Sequence, residues 1–170
     1  MKTRADDIAA LLLRIAVGLI FIPHGYSKVF GRGGVASFAA DLPSYHIPTF
    51  LGYIAAYAEF FGAILLIAGL LTRLDAFLLT CTMAVAVAVV QLPDAMNDVP
   101  AGANRFFAAM KGIEMPLSLF AAAGALVLIG GGKFSLDALL RIEERVVGRR
   151  SSVSGAVAVP PRPTTDDQRP

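Results

Sequence analysis

The sequence predicts an all-α membrane protein: a four-transmembrane-helix bundle, both termini cytoplasmic, with a short C-terminal amphipathic helix and a disordered tail. Three observations predict it. Four long apolar runs fill most of the chain. The composition is 56% hydrophobic and 16% charged, with a mean hydropathy of +0.66, whereas average soluble domains carry about 25% charged residues. The few ionisable residues inside the runs share helix faces with glycine and alanine, as residues facing a bundle interior do.

The runs are residues 8–30, 49–71, 74–92 and 113–129. Crossing about 30 Å of hydrocarbon takes about 20 helical residues. The runs do not alternate polar and apolar positions as barrel strands do, so helices are the element that satisfies the backbone in lipid. The first run follows Lys2 and Arg4 but is longer than the about 7–15 residues of a leader core. It also holds Arg14 and lacks a small-residue cleavage site, so we read it as a retained span. Pro48 precedes span two, where a missing N–H is tolerated. Thr72-Arg73-Leu74-Asp75 is read as a tight polar turn, making spans two and three antiparallel neighbours. Pro93 is expected to stop span three, and Pro116 to sit in the first turn of span four. Gly130-Gly131-Gly132 ends span four.

The loop at 31–47 holds a possible short helix near 35–40. Ser135 is an N-cap for a surface helix at 136–147, with Leu136, Leu139, Leu140 and Val147 on one side. Beyond Gly148 the chain turns to Ser, Pro, Thr and charge, the composition of a disordered tail. The organisation is a transmembrane domain at 1–133, an interfacial helix at 134–147 and a tail at 148–170. Lysine and arginine concentrate with the termini and the 72–75 turn, including Arg73, Lys133, Arg141 and Arg145; Lys28, Arg32, Arg105 and Lys111 lie opposite. The positive-inside rule puts the first group in the cytoplasm, giving a multi-pass membrane protein.

The candidate functional residues are the intramembrane charges. At about 100° per residue, Arg14, Gly18, Phe21, Gly25 and Lys28 share one face of span one. His24 lies beside it, just after the kink expected at Pro23. Around Glu59, Gly52, Ala55, Ala56, Gly62 and Ala63 form a small-residue face, and Glu114, Ser118, Ala121 and Ala125 make a stripe on span four. Depth matching pairs Glu59 with Arg14 or His24, and Glu114 with Lys28. Two roles stay open. Such pairs often only fix helix register, and Lys28 and Glu114 can snorkel to the interface. Alternatively, Arg14, His24, Lys28, Glu59 and Glu114 line a polar pocket for a quinone head group or another small lipophilic molecule, with His24 as a donor or acceptor and Glu59 as a proton carrier.

Other chemistry is not encoded. The net charge of +2 supplies no field for nucleic acid. Two histidines and one cysteine make no ordinary zinc, haem-pair or iron–sulfur set, so no metal or covalent cofactor is expected. Cys81 and His46 read as a small core residue and a surface residue. The Gly130–Lys133 stretch lacks the first glycine and the final hydroxyl of a phosphate loop, having Val127 and Phe134 there.

The assembled residues resemble the DoxX family of small four-helix membrane proteins. The matching pieces are Arg14 with Gly18, His24-Gly25 with Lys28, Glu59 with Gly62, and Gly69 leading into the Thr72-Arg73 turn. Glu114 with Leu117 and the GGGKFSLD exit at 130–137 complete them. Gly131 stands where many relatives have proline. The resemblance implies a cytoplasmic-membrane protein supporting quinone-linked redox or oxidative-stress chemistry. It is expected to act as a subunit beside soluble or membrane redox enzymes, with homo-oligomers possible. A proton-coupled or small-molecule transporter and a scaffold for soluble redox enzymes are the other functions considered.

Overall fold

The computed structural model describes residues 3–97, 99, 102 and 104–140. Among them every regular element is helical. Helix α1 (Arg4–Phe30) is 27 residues long. It starts earlier than the apolar run because Thr3 and Asp6 form a capping box: the Asp6 N–H donates to Thr3 Oγ1 and the Thr3 N–H to Asp6 Oδ2. Pro23 sits inside α1 without ending it. The short helix α2 (Gly34–Asp41) and a 3₁₀ turn (Leu42–Tyr45) cross to α3 (Thr49–Tyr57). In this crossing the Tyr45 hydroxyl donates to Asp94 Oδ2 at 3.2 Å. The charge of Asp94 raises the Tyr45 phenol above its ordinary range.

Helix α3 runs through a π-helical segment, Ala58–Gly62, into α4 (Ala63–Ala68). A second π segment, Ala86–Gln91, joins α5 (Thr72–Val85) to α6 (Leu92–Asn97). Helix α7 (Arg105–Ile129) is 25 residues long, and a short α8 (Leu136–Leu139) comes after the glycine turn. Among the described residues three stretches are long and apolar enough to cross a membrane: Thr49–Ala68, Thr72–Asn97 and Arg105–Ile129.

Several boundaries differ from expectation for local reasons. Pro93 does not stop its helix; the looser π turns just before it accommodate the missing N–H, and the helix continues to Asn97. Helix α7 starts at the Asn104 cap, whose Oδ1 accepts from the Phe106 N–H, so Pro116 lies mid-helix. The turn between α4 and α5 is made by Gly69 and Leu71, both left-handed, and Thr72 already belongs to α5. The expected surface helix is described only as far as Leu140; its remainder and the tail lie outside the described residues.

Helix α5 packs mainly on α7, and α1 packs on α4 and the first π segment. The shared core is built from Val17 and Phe21 of α1, Leu66 of α4, Leu79 of α5 and Leu119 and Leu126 of α7. Glycines bring α1 close to its neighbour: a Cβ on Gly18 would lie 2.9 Å from the Ala63 carbonyl oxygen. Gly69 has the strictest requirement. Its φ is +72°, and a Cβ there would overlap Arg14 Nη1. Gly69→Ala is therefore expected to lose about 2 kcal/mol or more, from left-handed strain and displacement of a buried guanidinium. Thermal unfolding in micelles, followed by circular dichroism, measures this; an unchanged midpoint would refute the packing described.

Candidate functional site

Two polar clusters occupy opposite ends of α1. The first joins its last turn to the π segment. Lys28 Nζ donates to both oxygens of Glu59, at 2.6 and 2.5 Å. The local sequence explains how they meet. Gly25 brings α1 against the π backbone, since a Cβ there would lie 2.5 Å from the Phe60 nitrogen and 2.8 Å from the Glu59 carbonyl carbon. The wider π turn begins beside Glu59, and such turns re-aim side chains and recur at functional sites. Lys28, three residues beyond Gly25, then reaches the carboxylate.

The pair is asymmetric. The Glu59 side chain is 2% exposed and that of Lys28 25%. Lys28 Nζ also lies 4.7 Å from the centre of the Phe38 ring of α2, a cation–π distance. Tyr26, Phe30 and Phe60 pack edge-on and tilted against one another nearby. An ammonium carries three N–H donors, so Lys28 can hold the carboxylate and still donate to an approaching acceptor.

The second cluster is a latch formed by the GGGKFSLD exit. Arg14, fully buried, donates from Nη2 to the Phe134 carbonyl at 2.6 Å. Asp137 accepts from the backbone N–H groups of Leu71 and Thr72, at 2.7 and 2.8 Å. It thus caps the N-terminus of α5, where Leu71 offers no side-chain cap. The Asp137 N–H returns a bond to the Gly69 carbonyl at 2.9 Å. At the start of α1, Asp7 accepts from the Lys133 N–H and pairs with its ammonium at 3.3 Å.

The expected residues are therefore distributed differently from the sequence reading. Glu59 pairs with Lys28, not with Arg14 or His24, because Gly25 sets α1 and the π segment at that register. Arg14 belongs to the latch. His24 is exposed, its Nδ1 donating to the Ile20 carbonyl at 2.8 Å. Glu114 is also exposed and does not meet Lys28. Helix α7 instead buries an apolar stripe through Ala109, Ile113, Pro116 and Leu119, which turns Glu114 and Ser118 away from the bundle. Gly18, Gly25 and Gly62 are buried where helices meet, as is Thr72; Arg73 is exposed and donates to the Val127 carbonyl at 2.9 Å. Cys81, expected as a core residue, is exposed.

Sequence reasoning missed Asp7, Asp75 and Asp137. A signal existed for Asp75. Thr72, Asp75, Ala76, Leu79 and Met83 recur at helical spacing and are all buried, so the acid sits in a core stripe rather than a turn.

Residues 9–92 match the model of the DoxX family. The chain carries a DoxX domain. That domain contains Arg14, Lys28, Glu59 and Asp75, while Glu114 and the Asp137 latch lie beyond the matched stretch. The DoxX chain is also 37% identical over 89 residues to a Bacillus subtilis (strain 168) protein named "Putative oxidoreductase CatD". The match covers 52% of this chain and 64% of that relative, so it spans less than two thirds of the relative's length. No solved structure matches the chain.

Proposed function

We propose that this DoxX protein is a four-span inner-membrane subunit that binds a quinone head group at the Lys28–Glu59 pair in support of a redox enzyme. The observation that carries the reading is the pair itself: a buried carboxylate held by a lysine that remains partly open beside aromatic rings. A quinone carbonyl would accept from the free N–H of Lys28. When the hydroquinone is reoxidised, Glu59 is placed to accept the proton that its hydroxyl releases. Aromatic side chains would stack against the flat ring.

Helix α1 supplies the fourth span, since 27 residues extend about 40 Å. The lysine and arginine bias supports both termini in the cytoplasm, which places Lys28 near the outer leaflet. The name of the Bacillus relative favours redox chemistry. With so few cysteines and histidines in the chain, electrons would come from a partner enzyme, docked to the bundle or to a second copy.

Purified protein in native lipid tests this. A short-tailed quinone at about one hundred times its dissociation constant should stabilise the fold by about 2.7 kcal/mol, and mass spectrometry should find quinone co-purifying. The absence of both the stabilisation and any co-purified quinone would refute the reading.

A further inference from the structure

One carboxyl inside the bundle belongs to neither the pair nor the latch. Asp75 is 4% exposed, and its Oδ2 has no hydrogen-bond partner among the described residues. The other buried carboxylates described are satisfied: Asp7 by Lys133, Glu59 by Lys28, and Asp137 by two backbone amides. The charged neighbour in electrostatic range of Asp75 is Asp137, a second carboxylate. Arg14 directs its charge to Asp137 as well. A bare anion in such a place is costly. A proton carried on the carboxyl removes the charge and supplies a donor.

The surroundings extend this into a line of polar groups. Thr72 Oγ1, three residues before Asp75 on the buried stripe of α5, is also unpartnered among the described residues, as are Arg14 Nε and Nη1. In the other direction Asp75 faces Gly62: a Cβ built there would lie 3.9 Å from Asp75 Oδ1. Gly62 closes the π segment that contains Glu59. Because Gly62 has no side chain, nothing from that position stands between the two carboxyls. Arg14 and Lys28 lie about 21 Å apart along α1; Glu59 meets Lys28 at the outer of these levels, and Asp75 lies on α5, which packs on the π segment carrying Glu59.

We propose that Asp75 holds a proton inside the bundle and exchanges it with Glu59 past Gly62, so that the two carboxyls form a proton relay between the latch end and the Lys28 end. In the forward step the O–H bond of Asp75 breaks. The proton passes through water to a Glu59 oxygen, Asp75 becomes the anion, and the hold of Glu59 on Lys28 loosens. The reverse step restores the pair. Asp75 is faced by the Asp137 carboxylate of α8 and, on the π-segment side, by Gly62, three residues beyond Glu59. The relay does not require a quinone at Lys28, so either proposal can fail alone.

Infrared spectroscopy and vesicle flux on the full chain test it. At neutral pH the wild type should show a protonated-carboxyl stretching band. That band should vanish in Asp75→Asn, which resembles the neutral acid in shape and should fold, and survive in Glu59→Gln. Vesicles with an imposed potential and an internal pH dye should pass protons with the wild type. The flux should fall to the protein-free level in Asp75→Asn and return in Asp75→Glu. No wild-type band, or a band that persists in Asp75→Asn, overturns the assignment of the proton. A band that behaves as expected, with flux equal in wild type and Asp75→Asn, overturns the relay.

Discussion

Replacing Asp137 with alanine is expected to destabilise the bundle by about 4 kcal/mol. Three losses combine. The Leu71 and Thr72 N–H groups lose their acceptor, and that of Thr72 is buried. An unsatisfied buried donor costs about 1–3 kcal/mol. Arg14 loses the anion facing it while remaining fully buried. The α5 terminus also loses the negative charge that favours the positive end of its dipole. Asp137→Asn should cost about half as much, since one carbonyl oxygen remains to accept. Thermal unfolding in micelles reads both variants. A loss below about 1 kcal/mol for the alanine variant would mean that the latch is not a stability element.

Replacing Lys28 with methionine is expected to cost about 3 kcal/mol, because removing one partner of a buried ion pair leaves an uncompensated charge, typically a loss of about 3–5 kcal/mol. The lower end applies because the Lys28 side chain is one-quarter exposed. The double variant Lys28→Met/Glu59→Gln removes both charges and should recover most of the loss, because paired burial often only breaks even with neutral packing. A double-mutant cycle on the four proteins measures the coupling. Additive losses would show that the two side chains do not depend on each other.

Much of this architecture was legible from periodicity. The apolar runs locate the long helices because hydrocarbon demands length and internal backbone bonding. The small-residue face around Glu59 identifies it as a residue that meets another helix, since Gly52, Ala56, Gly62 and Ala63 are buried with it. The partner was not legible. Depth matching assumes regular helices, and the π segment at Ala58–Gly62 rotates α4 relative to α3. Nor does the pattern on α7 reveal that its apolar stripe, not the one carrying Glu114, faces α5. The latch was hidden because Asp137 lies 65 residues from Thr72 in sequence, and such contacts leave no local spacing to read. The family resemblance is upheld by the match over residues 9–92, which holds the Glu59 and Gly62 motif, while the GGGKFSLD exit lies beyond it.

The Lys28–Glu59 pair can be separated from the fold that carries it. In the Lys28→Met/Glu59→Gln protein both charges are gone while close packing through Gly25 remains. The decisive measurement is the quinone-induced shift in thermal midpoint of this variant beside the wild type, both in native lipid. The account predicts a clear shift for the wild type and none for the variant at the same quinone concentration. An equal shift in both proteins would contradict it.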